Sequence, residues 1–519
     1  PLTRKEWLIM ELIRETVNIG ETTLKGCTQV MTDGDICIPD IKPDMLKILQ
    51  VDASACVTDT EVTDGRINIS GRICVTALYV PDRDEEKVRS ADAVFEFSQR
   101  VENSKIKAGM NAAIFANVER LEFSALNSRK LHVKAIVSLE YEAADIHELA
   151  IASGTESESA EVKCESFNIS GITAMGKSGF IVKETIEIPS SQNPINEILK
   201  TDIKISDTEY KAIDGKVVIK GTACICVLYT DTECNIEFTE AEIPFTEVAD
   251  MENVSEDSFC DIDYSVMSVS GTVSEDSDGD RKVINIEAEI SASIKACGSR
   301  EIEVLCDCYE PYRKTDIKKS EMTVEEITER PSMQNTMRET VDFSAEAAEI
   351  TGVYNVVARA AAEQTTLGNG KLVCTGKIEA YILYLSDSRE NPVCSVKREF
   401  PFSFSMDCGA DCEGADCEVK AEIKHVSYNL NAAGELELRC ITSLNANIIK
   451  RRRIDVIDEI SDEERPKRGG IIVYFVQSGD TLWNTAKKYA VPQQEIIRLN
   501  NLEDDELTQG MKLFIPVCR

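Results

Sequence analysis

One short pattern occurs three times in the 519 residues, and it limits the possible folds more than any other feature of the chain. The copies are Asp64-Gly-Arg-Ile-Asn-Ile-Ser-Gly71-Arg-Ile-Cys-Val-Thr-Ala-Leu78-Tyr79, Asp214-Gly-Lys-Val-Val-Ile-Lys-Gly221-Thr-Ala-Cys-Ile-Cys-Val-Leu228-Tyr229 and Asn369-Gly-Lys-Leu-Val-Cys-Thr-Gly376-Lys-Ile-Glu-Ala-Tyr-Ile-Leu383-Tyr384. Their opening glycines, 65, 215 and 370, set a repeat of 150 to 155 residues, long enough for each unit to own a core. Each copy opens on Asp-Gly or Asn-Gly, the dipeptide that accepts the positive φ of a tight hairpin. A β-branched strand follows, interrupted by Gly71, Gly221 or Gly376, where a missing side chain permits a bulge or a close backbone approach.

Downstream, pairs at the two-residue strand period follow: Phe95 and Phe97, Ile243 and Phe245, Phe400 and Phe402. A second hairpin is expected in each unit, from Leu121 to Tyr141 around Asn127-Ser128, Tyr264 to Ile294 around Asp278-Gly279, and Val419 to Ile449 around Ala433-Gly434. Upstream, Pro39 and Pro43, and likewise Pro189 and Pro194, end a strand and open a short helix. Longer helices are expected only from Glu6 to Thr16 and from Val324 to Thr340. The fold class is therefore mainly β, with three tandem β-rich domains arranged as a string of beads.

With 92 acidic against 57 basic residues, a net charge of -35, the surface repels phosphate backbones and anionic lipid, so nucleic acid and membrane insertion fall away as partners. No apolar run reaches the length of a spanning helix, and the first dozen residues carry charges where a secretory signal would be apolar. The expectation is a cytoplasmic protein. Its 19 cysteines, odd in number and without a Cys-x-x-Cys, read as mostly free and buried small hydrophobes.

These motifs resemble the SPOCS-type repeat domain of sporulating Firmicutes. The resemblance rests on the proline-spaced segment before Ile48-Leu49, the Asp-Gly strand, the Leu-Tyr ending and the closing Asp307-Cys-Tyr309. The reading places domains at 1–155, 156–320 and 321–456, the last divergent, then a charged linker at 457–471 and a separate module at 472–519.

That module reads as strand, helix, helix, strand. Its Gly479-Asp480-Thr481-Leu482-Trp483 run, Ala486, Leu499-Asn500 and Gly510-x-x-Leu513-x-Ile515-Pro516 ending resemble the LysM domain, a small α+β (βααβ) fold. Pro492 stands where that family often has a Ser or Thr cap. In the family the ligand groove lies between two loops, which places Ser478, Gly479, Asp480, Thr481, Asn500, Asn501 and Leu502 as residues that would bind a partner or a glycan of N-acetylglucosamine type. From the residues alone, Asp480 is equally suited to cap the first helix, and Trp483 to be a core residue.

Other patterns carry less. Gly171-Ile-Thr-Ala-Met-Gly176-Lys177-Ser178 spells a phosphate loop, but a strand-like run follows it where a helix is needed. Histidines 132, 147 and 425 lack a metal or triad partner at useful spacing. The loop holding Cys408, Cys412 and Cys417 matches no zinc signature and reads as a flexible acidic loop. No metal, cofactor or catalytic constellation is expected. The domain order resembles clostridial spore-coat morphogenetic proteins, which implies a non-enzymatic scaffold in the mother cell at the forespore surface, docked through its LysM domain to a spore morphogenetic ATPase or another coat scaffold protein. The alternative is a glycan-binding wall or spore-cortex protein.

Overall fold

The computed structural model describes residues 8–82, 87–343, 350–388, 390–409, 412, 414–431, 434–464, 469–502 and 504–517. Each repeat is a pair of stacked antiparallel sheets. In the first, Met45–Thr63, Arg66–Pro81 and Arg89–Glu102 form a meander with the pattern strand in the middle, and Leu12–Cys37, Lys130–Thr155 and Asn111–Asn127 form the second sheet around Lys130–Thr155. The second repeat pairs a meander of Ile195–Ile213, Lys216–Asp231 and Ile236–Asp250 with a sheet of Glu161–Glu187, Val283–Tyr309 and Phe259–Ser274. The third pairs Ile350–Gly368, Lys371–Ser386 and Val393–Asp407 with a sheet centred on Glu435–Glu464. The three pattern segments are thus equivalent central strands.

The motif residues explain this local geometry. Gly65, Gly215 and Gly370 turn the hairpins at φ of 78°, 73° and 70°. Gly71, Gly221 and Gly376 lie directly opposite Phe97, Phe245 and Phe402, and a Cβ at any of the three would collide with that ring. Register shifts fall beside the same glycines, at Val57/Asp59, Lys220/Thr222 and Ala362/Gln364, so each position is a bulge and a close approach together.

The Leu-Tyr ending divides its side chains between two cores. Tyr79, Tyr229 and Tyr384 enter the core of their own repeat. The hydroxyls of Tyr79 and Tyr229 donate to Pro43 O and Gln192 Oε1, which ties them to the proline-spaced turn. Leu78, Leu228 and Leu383 instead meet one another in a single cluster with Leu49, Leu199 and Tyr354, the residues extruded by a bulge at the same place in each repeat. A further shared core forms where the ends of the long strands pack as ribbons: Val17 and Ile151 from the first repeat, Ile169, Ile302 and Val304 from the second, Val324 and Ile454 from the third. Leu8–Met10 closes the ring by pairing with Ile460–Asp462 of the third repeat. Each repeat has its own core, as expected, but the string of beads is corrected: the three surround a common axis and share further clusters as well, such as Ala152, Leu305, Cys308, Ile457 and Ile460.

The expected helices are corrected too. Residues 8–16 of the first (Glu6 and Trp7 lie outside the described residues) and all of 324–340 belong to extended segments, the latter in Arg313–Glu329 and Ser332–Asp342, which pair one after the other along Glu435–Glu464. A long partner strand and an apolar seat for Val324 outweigh helical periodicity. The proline segments make turns closed by Lys42 N to Pro39 O and Gln192 N to Pro189 O, with no helix, because strands begin at Met45 and Ile195. Residues 457–464, which the sequence assigns to a linker, continue the strand against Arg313–Lys319. Every described cysteine is a free thiol; Cys226 and Cys297 are buried, which pushes each thiol up to about 12, whereas Cys27 and Cys37 are exposed. Among the described residues no helix is long and apolar enough to cross a membrane.

Shared cores couple the repeats energetically. Urea unfolding of the chain should therefore show one main transition for the three repeats, and Leu228→Ala should shift it as a whole by about 2–5 kcal/mol. Three separable transitions, with only the second moved by Leu228→Ala, would restore the bead arrangement.

The C-terminal module and its seat on the second repeat

The C-terminal module pairs Gly470–Phe475 with Lys512–Val517, Val473 facing Phe514, and packs the helices Leu482–Tyr489 and Gln493–Asn500 on one side. Strand alternation decides the faces. Ile472, Tyr474 and Val476 turn toward a core of Leu482, Ala486, Val491, Ile496, Leu513 and Ile515, whereas Ile471, Val473, Phe475 and Phe514 stay exposed at 60%, 48%, 57% and 37%.

The first helix is capped by Thr481, whose hydroxyl accepts the Asn484 N–H at 3.1 Å. This corrects the cap expected from Asp480. That carboxylate faces back, accepting from Tyr474 Oη at 2.6 Å and Gln477 N at 2.7 Å, and the first of these bonds holds its pKa below the usual carboxylate range. The same bond helps push the Tyr474 phenol up to about 12. Asn500 binds strand and helix together: its amide donates to Ile496 O at 2.8 Å and Phe514 O at 2.7 Å, and its Oδ1 accepts Phe514 N at 2.6 Å. Asn501 ends the second helix in the left-handed region, φ 49°, and Leu502 returns its N–H to Ile497 O while packing on the module core. Pro492 starts this helix without a side-chain cap. Of the seven residues named from the sequence, Asp480, Asn500 and Leu502 are turned inward, and Ser478, Gly479, Thr481 and Asn501 are exposed.

The module does not hang free. Trp483 Nε1 donates to Asp307 Oδ2 at 2.8 Å, Lys487 pairs with Asp307 Oδ1, and the Trp483 ring meets Tyr309 edge-on at 5.3 Å. Tyr309, 1% exposed, donates its hydroxyl to Val491 O at 2.9 Å and belongs to the module's core. Tyr312 N to Ala490 O at 2.7 Å and Gln493 Nε2 to Glu161 Oε2 at 3.1 Å complete the seat. Trp483 is thus a packing residue whose core includes a piece of the second repeat. Asp307-Cys-Tyr309, legible as a closing motif, gave no sequence signal that it receives the module.

Elsewhere, Gly171–Ser178 runs inside the strand Glu161–Glu187, which offers no helix N-terminus; Gly171 lets that strand approach Gly20 of the first repeat, since a Cβ would lie 2.8 Å from Gly20 O. His132 Nδ1 lies 2.8 Å from Asp35, a partner the spacing did not disclose, and His147 and His425 sit beside Asp145 and Asp207. In the Cys408 to Cys417 loop, Asp411 and Glu413 lie outside the described residues; Cys412 and Cys417 thiols are raised to about 11, first by burial. Among the described residues no group of three or more His, Cys, Asp or Glu is placed to hold a metal ion.

Burial raises the Asp307 pKa, but the bonds from Lys487 and Trp483 outweigh it and leave the group below its ordinary value. A depressed carboxylate stabilises above its unfolded pKa of about 3.9 and loses that contribution as pH falls through the folded value. The seat should hold at pH 7 and weaken only in acid below that range. Asp307→Asn should red-shift Trp483 emission at pH 7 in a Trp7→Phe background; the same emission from both forms at pH 7 would argue against the seat.

Comparison with known families now places these parts. The model for the SipL SPOCS domain matches residues 44–126, 194–274 and 349–431, each span covering a meander and the strand that follows it, and the LysM model matches 474–516. The uncharacterized protein YkzQ of Bacillus subtilis (strain 168) is 47% identical over 43 residues, 8% of this chain and 57% of that protein, so the chain spans little more than half of this relative. No solved structure matches the chain. With three SPOCS domains tied to sporulation and a C-terminal LysM domain of the peptidoglycan-binding type, the chain belongs among the SipL-like proteins.

Proposed function

We propose that the protein is a non-enzymatic adaptor in spore-envelope assembly, acting in the mother-cell cytoplasm at the forespore surface, with its LysM module docking a protein scaffold such as a morphogenetic ATPase. The observation that carries the reading is the exposed row Ile471, Val473, Phe475 and Phe514, cross-paired on one sheet face while the module is seated on the second repeat. A row of large apolar side chains on a soluble surface favours a protein partner. The groove supports it from the other side: Asp480 and Asn500 already bond within the module, leaving fewer side chains to hold the acetamido groups of a sugar chain. The seat also fixes the module against the repeats, so a partner held there is positioned relative to the whole ring.

The second reading, binding of an N-acetylglucosamine polymer, is favoured by the LysM match itself and by Ser478, Thr481 and Asn501, which remain exposed. The two separate in sporulating cells. A fluorescent fusion of the full chain should ring the forespore, and Phe475→Arg should disperse it while calorimetry with N-acetylglucosamine oligomers gives no heat for either form. Tight sugar binding abolished by changes at Ser478 or Asn501, with localisation indifferent to Phe475→Arg, would favour the glycan reading.

A further inference from the structure

The alternation that turns Ile472 and Tyr474 toward the two helices of the C-terminal module leaves six positions on the other face of the same sheet. Ile471, Val473 and Phe475 of one strand stand there opposite Pro516, Phe514 and Lys512 of the other. Five of the six are apolar, and the module's own helices lie on the opposite side.

The dimensions of this face select what can cover it. Six residues of strand run about 20 Å, and two strands about 5 Å apart make a face about as wide as one helix. A third strand added at an edge would lengthen the sheet sideways and leave the row bare. A second sheet would overhang the two strands on both sides. One helix of about 13 residues matches the length, and an apolar stripe along it matches the row.

The face also has a direction. Lys512 is its one charged residue, opposite Phe475 at one end, and its ammonium lies 4.7 Å from the centre of the Phe514 ring. The cation is thus held along the row, where it favours an occupant with a carboxylate at that end. A second copy of this chain is a poor occupant, because two molecules of net charge -35 repel and the copy's own face would present another lysine.

We propose, resting on the adaptor reading above, that this bare face receives one amphipathic helix of the scaffold partner. Its apolar stripe lies along Ile471, Val473, Phe475 and Phe514, and an aspartate or glutamate of the helix meets Lys512.

The photo-reactive residue p-benzoylphenylalanine, put in place of Ile471 or of Phe475 in the full chain in sporulating cells, maps the occupant. Crosslinks from both positions should fall on one partner segment, on residues three, four or seven apart. Lys512→Glu should weaken capture of that segment about tenfold, Lys512→Arg should retain it, and a lysine in place of the partner's carboxylate should restore the Lys512→Glu form. Unchanged Trp483 emission would show that the module stays folded in each variant. Crosslinks two residues apart, scattered over several segments, onto a second copy of this chain or onto no protein would overturn the helix, as would equal capture by Lys512→Glu. A forespore ring that survives Phe475→Arg would remove the adaptor reading as well.

Discussion

The structure depends on how one dipeptide distributes its side chains. In each repeat the leucine of the Leu-Tyr ending points out of the domain and the tyrosine points in, because successive strand residues face opposite sides. The tyrosine fills a core that the repeat could build alone. The leucine has no such core, and burying it takes the same residue from two other copies. Each of these side chains contributes about 1.5–3 kcal/mol when fully removed from water, so the three leucines and their bulge neighbours drive the repeats together.

The remaining contacts between repeats follow from that approach. Once the meanders meet, the long strands of the second sheets run past their own domains and pair as ribbons, and glycines are needed where backbones touch, as at Gly20 and Gly171. The repeats have diverged where they face one another near the axis. Lys200, 6% exposed along its side chain, bonds Asp52 of the first repeat and Asp202 of its own, and Tyr354 of the third donates to the same Asp202. A buried ammonium with two carboxylates and a phenol in reach is satisfied only when three particular repeats stand in order, which turns an approximate symmetry into one defined arrangement.

The seat of the LysM module extends this arrangement to the C-terminus. Asp307 is the residue on which it turns, accepting from an indole and an ammonium of the module while Tyr309 beside it fills the module's core. The exposed apolar face and Ser478, Gly479, Thr481 and Asn501 of the loops remain outward, so the module is oriented with these surfaces open.

Much of this was legible in the residues. Turn dipeptides, bulge glycines, strand alternation and the run from Gly479 to Trp483 are local signals, set by φ preferences, steric room and two-residue periodicity, and they determined the strands, the three repeats and the small α+β module. The helices expected at 6–16 and 324–340 give way to strands from residue 8 onward and across 324–340, because a local pattern cannot report a partner strand about a hundred residues or more away. Asp480 has the spacing of a cap, but its carboxylate accepts from Tyr474 and Gln477 instead, and Thr481 caps the helix. What only the tertiary structure decided is which apolar faces meet. Leu78, Leu228 and Leu383 look like core residues of three separate domains, and Trp483 like the core of a fourth; their common burial comes from surfaces brought together across the whole chain, and no window of sequence contains both sides of such a contact.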